Sequence, residues 1–200
     1  MRLPESWTER LPFLEAVEEP WSSTPRIALV AWLLFFSLFL YQLARGSGFL
    51  LLMDGVFVPI HEGGHLLFRW FGEFLAIAGG TFLQLFAPLA LATYFFFQRQ
   101  AQGVAFCMFC FFEQFLPIAT YMADARAQEL PLLTVGDAEY VIHDWNYLFT
   151  RLGVIDHDIQ IAGAVRFIGW CGMIAVMIWL LWRGLNDVPV EKSSAAPGNN

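Results

Sequence analysis

The sequence predicts an all-α integral membrane protein, a bundle of about five transmembrane helices. Three observations carry that expectation. The 200 residues are 58% hydrophobic and only 14% charged, with a mean hydropathy of +0.54, whereas soluble domains hold about 45–50% apolar and about 25% charged residues. The apolar residues fall into stretches of about 20, the length of helix that crosses a hydrocarbon core of about 30 Å. None of these stretches alternates as barrel strands do, so helices are left as the way to satisfy backbone polar groups in lipid.

Residues 1–26 are an acidic N-terminal segment. Its first twenty residues carry Pro4 and Pro12 and no apolar run of the kind that marks a secretion signal. Trp7, Leu11, Leu14 and Trp21 suit a membrane surface, although Pro12 interrupts any long helix there. The bundle is expected over 27–182. Its first span is 27–44, bracketed by Arg26 and Arg45. The second, 47–71, is interrupted by Asp54 and by His61-Glu62-Gly63-Gly64-His65. The third is 74–97, the fourth 103–122 and the fifth 161–182. A polar loop, 123–160, is too long to be featureless, and 130–133 and 145–149 within it suit the interface or a re-entrant turn. The tail, 183–200, ends in Ser, Ala, Pro, Gly and Asn and reads as disordered.

Charge and cysteine content narrow the function classes. Lys and Arg number 11 against 18 Asp and Glu, for a net charge of −7, with no basic patch to bind nucleic acid. Three cysteines do not make a disulfide framework. Cys107 and Cys110 form a C-x-x-C inside an apolar run, where lipid disfavours the thiolate, so they read as packing residues. An odd number of spans places the N-terminus, the turn near Arg69 and the long loop at one end. The turns at Arg45 and Arg99 and the tail with Arg183 then share the other, which positive charge slightly favours as cytoplasmic.

The chemistry concentrates in the His-Glu-Gly-Gly-His block. Side chains four apart on a helix share a face with Cβ atoms about 5–6 Å apart. Both imidazoles, His61 and His65, can therefore reach one metal ion at roughly 2.0–2.1 Å. Glu62 projects about 100° further round, beside the open coordination position, where it can take a proton from water. With four His in the chain, the pattern H-E-x-x-H has a chance expectation of about 0.004. Zinc, one ion per chain, is the expected cofactor, and a catalytic zinc takes three protein ligands. Asp124, directly after a span, is the first candidate for the third ligand. His143 is the second, with Asp144 as either ligand or orienting partner. Arg126 is placed to hold a carboxylate or a substrate carbonyl. Glu113 lies at the depth of His61 and is costly there unless paired, which suits either a partner for a ligating histidine or part of a polar cavity, with Gln84 at similar depth. Asp54 reads as structural or part of a water path, and His157 and Asp158 read as surface residues. Pro59, Pro88 and Pro117 kink three spans, and Gly63, Gly64, Gly79 and Gly80 allow close helix approach.

An H-E-x-x-H inside an apolar span resembles the site-2 protease family of intramembrane zinc metalloproteases. The resemblance implies His61 and His65 as zinc ligands, Glu62 as the base that activates water, and Asp124 as the nearest match to the family's later-span aspartate. That aspartate ordinarily sits in a Leu-Asp-Gly or Asn-Pro-Asp-Gly setting, whereas here it reads Ala123-Asp124-Ala125-Arg126-Ala127. The chain also resembles a group of small bacterial membrane proteins that share the blocks at 61–65, 71–74, 124–127 and 143–146, which implies a bacterial cytoplasmic membrane. The leading expectation is thus metal-dependent hydrolysis of a peptide bond in a membrane-protein substrate, with Glu62 and Arg126 as catalytic residues. The alternative is a non-catalytic subunit of a larger membrane complex, its aromatic faces meeting partner subunits. Pigment ligation is disfavoured, because two axial histidines four residues apart would crowd two macrocycles.

Overall fold

A computed structural model describes residues 19–46, 50–130 and 142–186, with side chains omitted for 50–54. The expectations for residues 1–18, for 131–133, for the Asp54 side chain and for 187–200 lie outside the described residues. Among those described, every regular element is helical. We number the α-helices α1 (Arg26–Arg45), α2 (Leu50–Phe68), α3 (Glu73–Phe97), α4 (Ala101–Glu113), α5 (Phe115–Ala123), α6 (Asp144–Leu152) and α7 (Asp158–Asn186). Short 3-10 turns at Arg69–Phe71 and Ile155–His157 lead into α3 and α7.

Four helical segments are long and apolar enough to cross a membrane: Arg26–Arg45, Glu73–Phe97, Ala101–Ala123 and Ile155–Asn186. Their outward faces carry large apolar side chains, such as Leu34, Phe82, Phe167 and Trp182, all more than half exposed, as lipid-facing residues are. The second expected span is the shorter α2, which lies along α3 and completes a bundle of five. α4 and α5 are one span with a break at Gln114. Pro117 causes the break, since it has no N–H to donate to the Glu113 carbonyl and its ring collides with that carbonyl.

Core packing follows side-chain size. α1 presents Leu29, Phe36, Phe39 and Leu43 to Ala105 and Phe109 of α4 and to Met173, Val176 and Leu180 of α7. The Phe36 and Phe109 rings stack with centroids 4.5 Å apart. α7 receives the α4–α5 unit on its glycines: a Cβ on Gly169 would lie 2.7 Å from Leu116, and one on Gly172 would run into the Phe112 ring. Cys107 and Cys110 are free and buried in this core, as packing residues should be.

One topological expectation fails. The Ser22 N–H and hydroxyl both donate to the Arg99 carbonyl, at 2.9 and 2.7 Å, and Leu29 lies under Gly184. The start of α1 is therefore at the end of the bundle that holds Arg99 and Arg183, not at the end near Arg69. α1 runs parallel to α4, with Trp32 against Phe106 and Phe36 against Phe109.

This arrangement predicts accessibility. With Cys171 replaced by Ser, cysteines at Ser23 and Gln98 should react with an impermeant thiol reagent from one side of the membrane, and cysteines at Glu73 and Thr150 from the other. Labelling of positions 23 and 73 from the same side would contradict the path of α1.

Candidate metal centre

The site is built on a crossing of α2 and α3 that only glycine permits. A Cβ on Gly64 would lie 2.8 Å from the Gly80 Cα, and one on Gly79 would lie 2.8 Å from the Gly64 carbonyl oxygen. At that separation backbone meets backbone, as small residues allow in membrane helices. Gly80 does more, because its missing side chain leaves the space beneath the two imidazoles. A Cβ there would be 2.6 Å from both the His61 Nε2 and the His65 Nε2.

Neighbouring acceptors set the ring tautomers. His65 Nδ1 is 2.9 Å from the Ala76 carbonyl oxygen, which can only accept. His61 Nδ1 is 2.9 Å from Gln84 Oε1. The Gln84 amide is held in that sense because its Nε2 donates to Gln114 Oε1 at 2.7 Å, while Gln114 Nε2 donates to the Glu113 carboxylate. Both histidines thus carry hydrogen on Nδ1 and turn an Nε2 lone pair to the same place. Glu113 and Gln114 are fully buried at the α4–α5 break, and a buried polar chain of this kind holds only when each member is satisfied. Glu113 is thus joined to His61, though through two amides rather than directly.

The third group is Asp144. Its Oδ2 lies 3.0 Å from His61 Nε2 and 3.3 Å from His65 Nε2, and one ligand atom from each of the three residues falls within 4.8 Å of the others. Two imidazole lone pairs and a carboxylate oxygen aimed at one point repel unless a cation or protons lie between them. A tetrahedral ion with bonds of about 2.0–2.1 Å would set its ligand atoms about 3.3–3.4 Å apart, close to the spacing here. The three residues therefore fit a metal ion. With no ion between them, burial works to raise the Asp144 carboxyl, but hydrogen bonds from His61 and His65, which need each ring to carry a second proton on Nε2, outweigh it and hold the group below its ordinary value.

Asp124 and His143, the two residues expected to supply the third ligand, pair with each other. Asp124 closes the turn after α5 by accepting from the Glu129 and Leu130 N–H groups at 2.9 and 3.1 Å. His143 caps α6, its Nδ1 accepting from the Asn146 N–H at 3.2 Å. That leaves its Nε2 as the donor to Asp124, 3.3 Å away. His143 thus has the opposite tautomer to His61 and His65, with one nitrogen engaged at the start of α6 and the other on the turn after α5. Tyr121, its ring 4.2 Å from the His143 ring, accepts the Asp144 N–H at 3.1 Å. Asn146 donates to the Ala125 carbonyl at 2.8 Å. Together these contacts dock the 143–146 block on the end of α5 and deliver the neighbouring Asp144 to the histidines.

Glu62 is half-buried, with no hydrogen bond among the described residues, and its charge acts on His65 and Tyr121. Arg126 is engaged elsewhere. It pairs with Asp158 at 2.7 and 2.9 Å, which binds the turn after α5 to the first residue of α7. Asp158 is 1% exposed, so the surface reading of it is corrected, whereas His157 is exposed as expected. The sequence carried only part of the signal for Asp158, since an Asp suits a helix start but its partner Arg126 lies 32 residues earlier. No known protein family, curated protein or solved structure matches the chain.

Two outcomes follow. Gly80→Ala should abolish stoichiometric metal binding, measured by elemental analysis, while helix content by circular dichroism is kept; Gln84→Leu should weaken affinity by roughly 10–100-fold. The second concerns Asp124. Burial pushes its carboxyl up, but the Glu129 and Leu130 N–H groups and His143 outweigh burial and hold it below its ordinary 3.8. A depressed carboxylate stabilises the fold above its unfolded-state value and loses that contribution as pH falls through the folded one. Asp124→Asn should therefore flatten the acid side of the unfolding profile below about pH 4, and an unchanged acid limb would count against the turn.

Proposed function

We propose that the chain is a membrane-embedded zinc metalloprotease whose ligands are His61, His65 and Asp144. The observation that carries this reading is the convergence of two Nε2 lone pairs and one carboxylate oxygen over Gly80, beside an uncommitted Glu62. Three protein ligands leave one position open, the pattern of catalytic rather than structural zinc sites. Bound there, zinc supplies Lewis acidity toward a peptide carbonyl and toward water. Glu62 takes the proton of the attacking water and returns it to the leaving amine. The Ala76 carbonyl and the Gln84–Gln114–Glu113 chain hold the imidazoles so that neither ring turns during that transfer. Tyr121 fixes the Asp144 backbone, and the Asp124–His143 pair keeps the docked turn in place. Arg126, held by Asp158, contributes to that docking rather than to the developing oxyanion.

The substrate class is a membrane-protein segment, because the site lies among helices that face lipid. The bacterial cytoplasmic membrane is the proposed location, with the arginine-bearing end inside. The alternative, a metal-binding subunit without catalysis, differs in one measurable respect. Purified wild type should carry about one zinc per chain. Glu62→Gln should keep that metal and lose cleavage of a membrane-peptide library, whereas His65→Ala should lose both. Absence of metal from wild type would end the zinc reading. Full metal with no cleavage by wild type, together with stoichiometric co-purifying partners, would favour the subunit.

A further inference from the structure

With Arg126 held by Asp158, peptide hydrolysis lacks the cation that the sequence offered for its oxyanion. One preorganised donor beside the reacting carbon is worth about 10²–10³-fold in such reactions. Most polar side chains around the centre are committed to protein acceptors. His143 donates to Asp124, and Asn146 donates to the Ala125 carbonyl. The Gln84 and Gln114 amides donate along the line to Glu113. Tyr147 donates to Glu73 at 3.0 Å. The Trp145 indole N–H has no partner, but it is buried, with its ring packed against the apolar cluster that holds Ile118 and Phe149.

Tyr121 stands apart. A phenol has one hydrogen to donate and lone pairs with which to accept. Its oxygen accepts the Asp144 N–H at 3.1 Å, and its own hydrogen has no acceptor among the described residues. The side chain is half-buried on the last turn of α5. Two constraints hold it. The ring centroid lies 4.2 Å from that of His143, which is itself bonded at both nitrogens. The oxygen is tied to the backbone of Asp144, the residue whose Oδ2 meets His61 and His65. Covalent bond lengths allow about 5 Å at most between the N of an Asp and its carboxylate oxygen, so the hydroxyl is no more than about 8 Å from that Oδ2. The charges of Asp144 and Glu62, a ligand and the base, both act on the phenol. The free hydrogen is therefore beside the volume in which water attacks a carbonyl.

We propose that Tyr121 is a catalytic residue of the hydrolysis, its hydroxyl donating a hydrogen bond to the oxyanion of the tetrahedral intermediate; this rests on the metalloprotease reading. The proton balance of the reaction is unchanged. Attack by water forms the C–O bond, the water proton passes to Glu62, and the carbonyl electron pair becomes the oxyanion. Tyr121 keeps its own proton and shares it with that oxygen. As the C–N bond breaks, Glu62 gives its proton to the leaving amine. A hydrogen bond to an ionised acceptor is roughly twice as strong as one to a neutral acceptor, so the donation acts on the rate rather than on substrate binding. The same oxygen stays on the Asp144 N–H throughout, so the donor is aimed before substrate arrives.

Tyr121→Phe keeps the ring against His143 and removes the hydroxyl. On the membrane peptide that wild type cleaves fastest, kcat should fall about 100-fold while KM and bound zinc stay near wild type. A second measurement needs no turnover. A phosphinic analogue of that peptide carries the tetrahedral oxyanion, and an analogue with CH₂ in place of the scissile carbonyl has no oxygen there. By isothermal titration the variant should bind the phosphinate about 100-fold more weakly than wild type and the methylene analogue equally well. A tyrosine that only props Asp144 would weaken both analogues and release zinc, and excess zinc would then restore kcat. That pattern, or a kcat within about threefold of wild type, overturns the proposal. If the variant does not fold, wild type carrying 3-fluorotyrosine at position 121 takes its place. Its fluorine resonance should move when the phosphinate binds and stay in place with the methylene analogue; an unmoved resonance with phosphinate bound overturns the assignment. Zinc-loaded wild type that cleaves no peptide would end the metalloprotease reading itself, and the role of Tyr121 with it.

Discussion

The contact on which the rest depends is the backbone-to-backbone crossing of α2 and α3 at Gly64, Gly79 and Gly80. In lipid there is little hydrophobic drive to bring helices together, so close approach has to come from small residues and dispersion. The crossing supplies the closeness and the polar consequences at once. With the helices this near, the Ala76 carbonyl and the Gln84 amide fall within 2.9 Å of imidazoles on the neighbouring helix. A methyl group at position 80 would occupy the place where both Nε2 atoms point. The same glycines that permit packing therefore keep clear the volume that both Nε2 atoms face, and packing and site cannot be altered independently.

How much of this was readable in the sequence varies with the range over which each residue acts. The helical class, the break-prone prolines and the His61–His65 pair are local properties of composition and i, i+4 spacing, and they appear as expected. The glycines were readable as places of close approach, although not as a cradle, because their partner surface is another helix. Of the residues offered as a third ligand, the one that meets the histidines is Asp144, which the sequence ranked behind Asp124 and its own neighbour His143. His143 and Asp144 are adjacent, and so are the roles of helix cap and metal-directed carboxylate. Which residue takes which role depends on His143 accepting the Asn146 N–H, a bond that needs the start of α6 to be known. Asp124 looked anchored because it follows a helix, but the same position gave it two backbone N–H groups to receive. The direction of α1 was lost for a different reason. It depends on Ser22 and Trp21 meeting Arg99 and Trp179, contacts more than seventy residues apart in sequence.

The chain of Gln84, Gln114 and Glu113 shows why polar residues persist inside an apolar bundle. An isolated carboxylate at that depth would be expelled or protonated. Here it accepts from one amide, which accepts from a second, which accepts from an imidazole, so the sense of every bond is the same from His61 to Glu113. Low dielectric strengthens such a chain and also penalises any reversal of it. Turning the Gln84 amide over would set its N–H₂ against the His61 N–H and its oxygen against the Gln114 oxygen, two repulsions for one rotation. The Glu113 carboxylate, which accepts and does not donate while ionised, thus fixes the direction of the whole line. Its remote end is the His61 tautomer, and that tautomer decides whether the ring turns a lone pair or an N–H toward Asp144 and His65. Pro117 belongs to the same account, since the helix break it imposes at Gln114 accompanies the burial of both neighbours, Glu113 and Gln114.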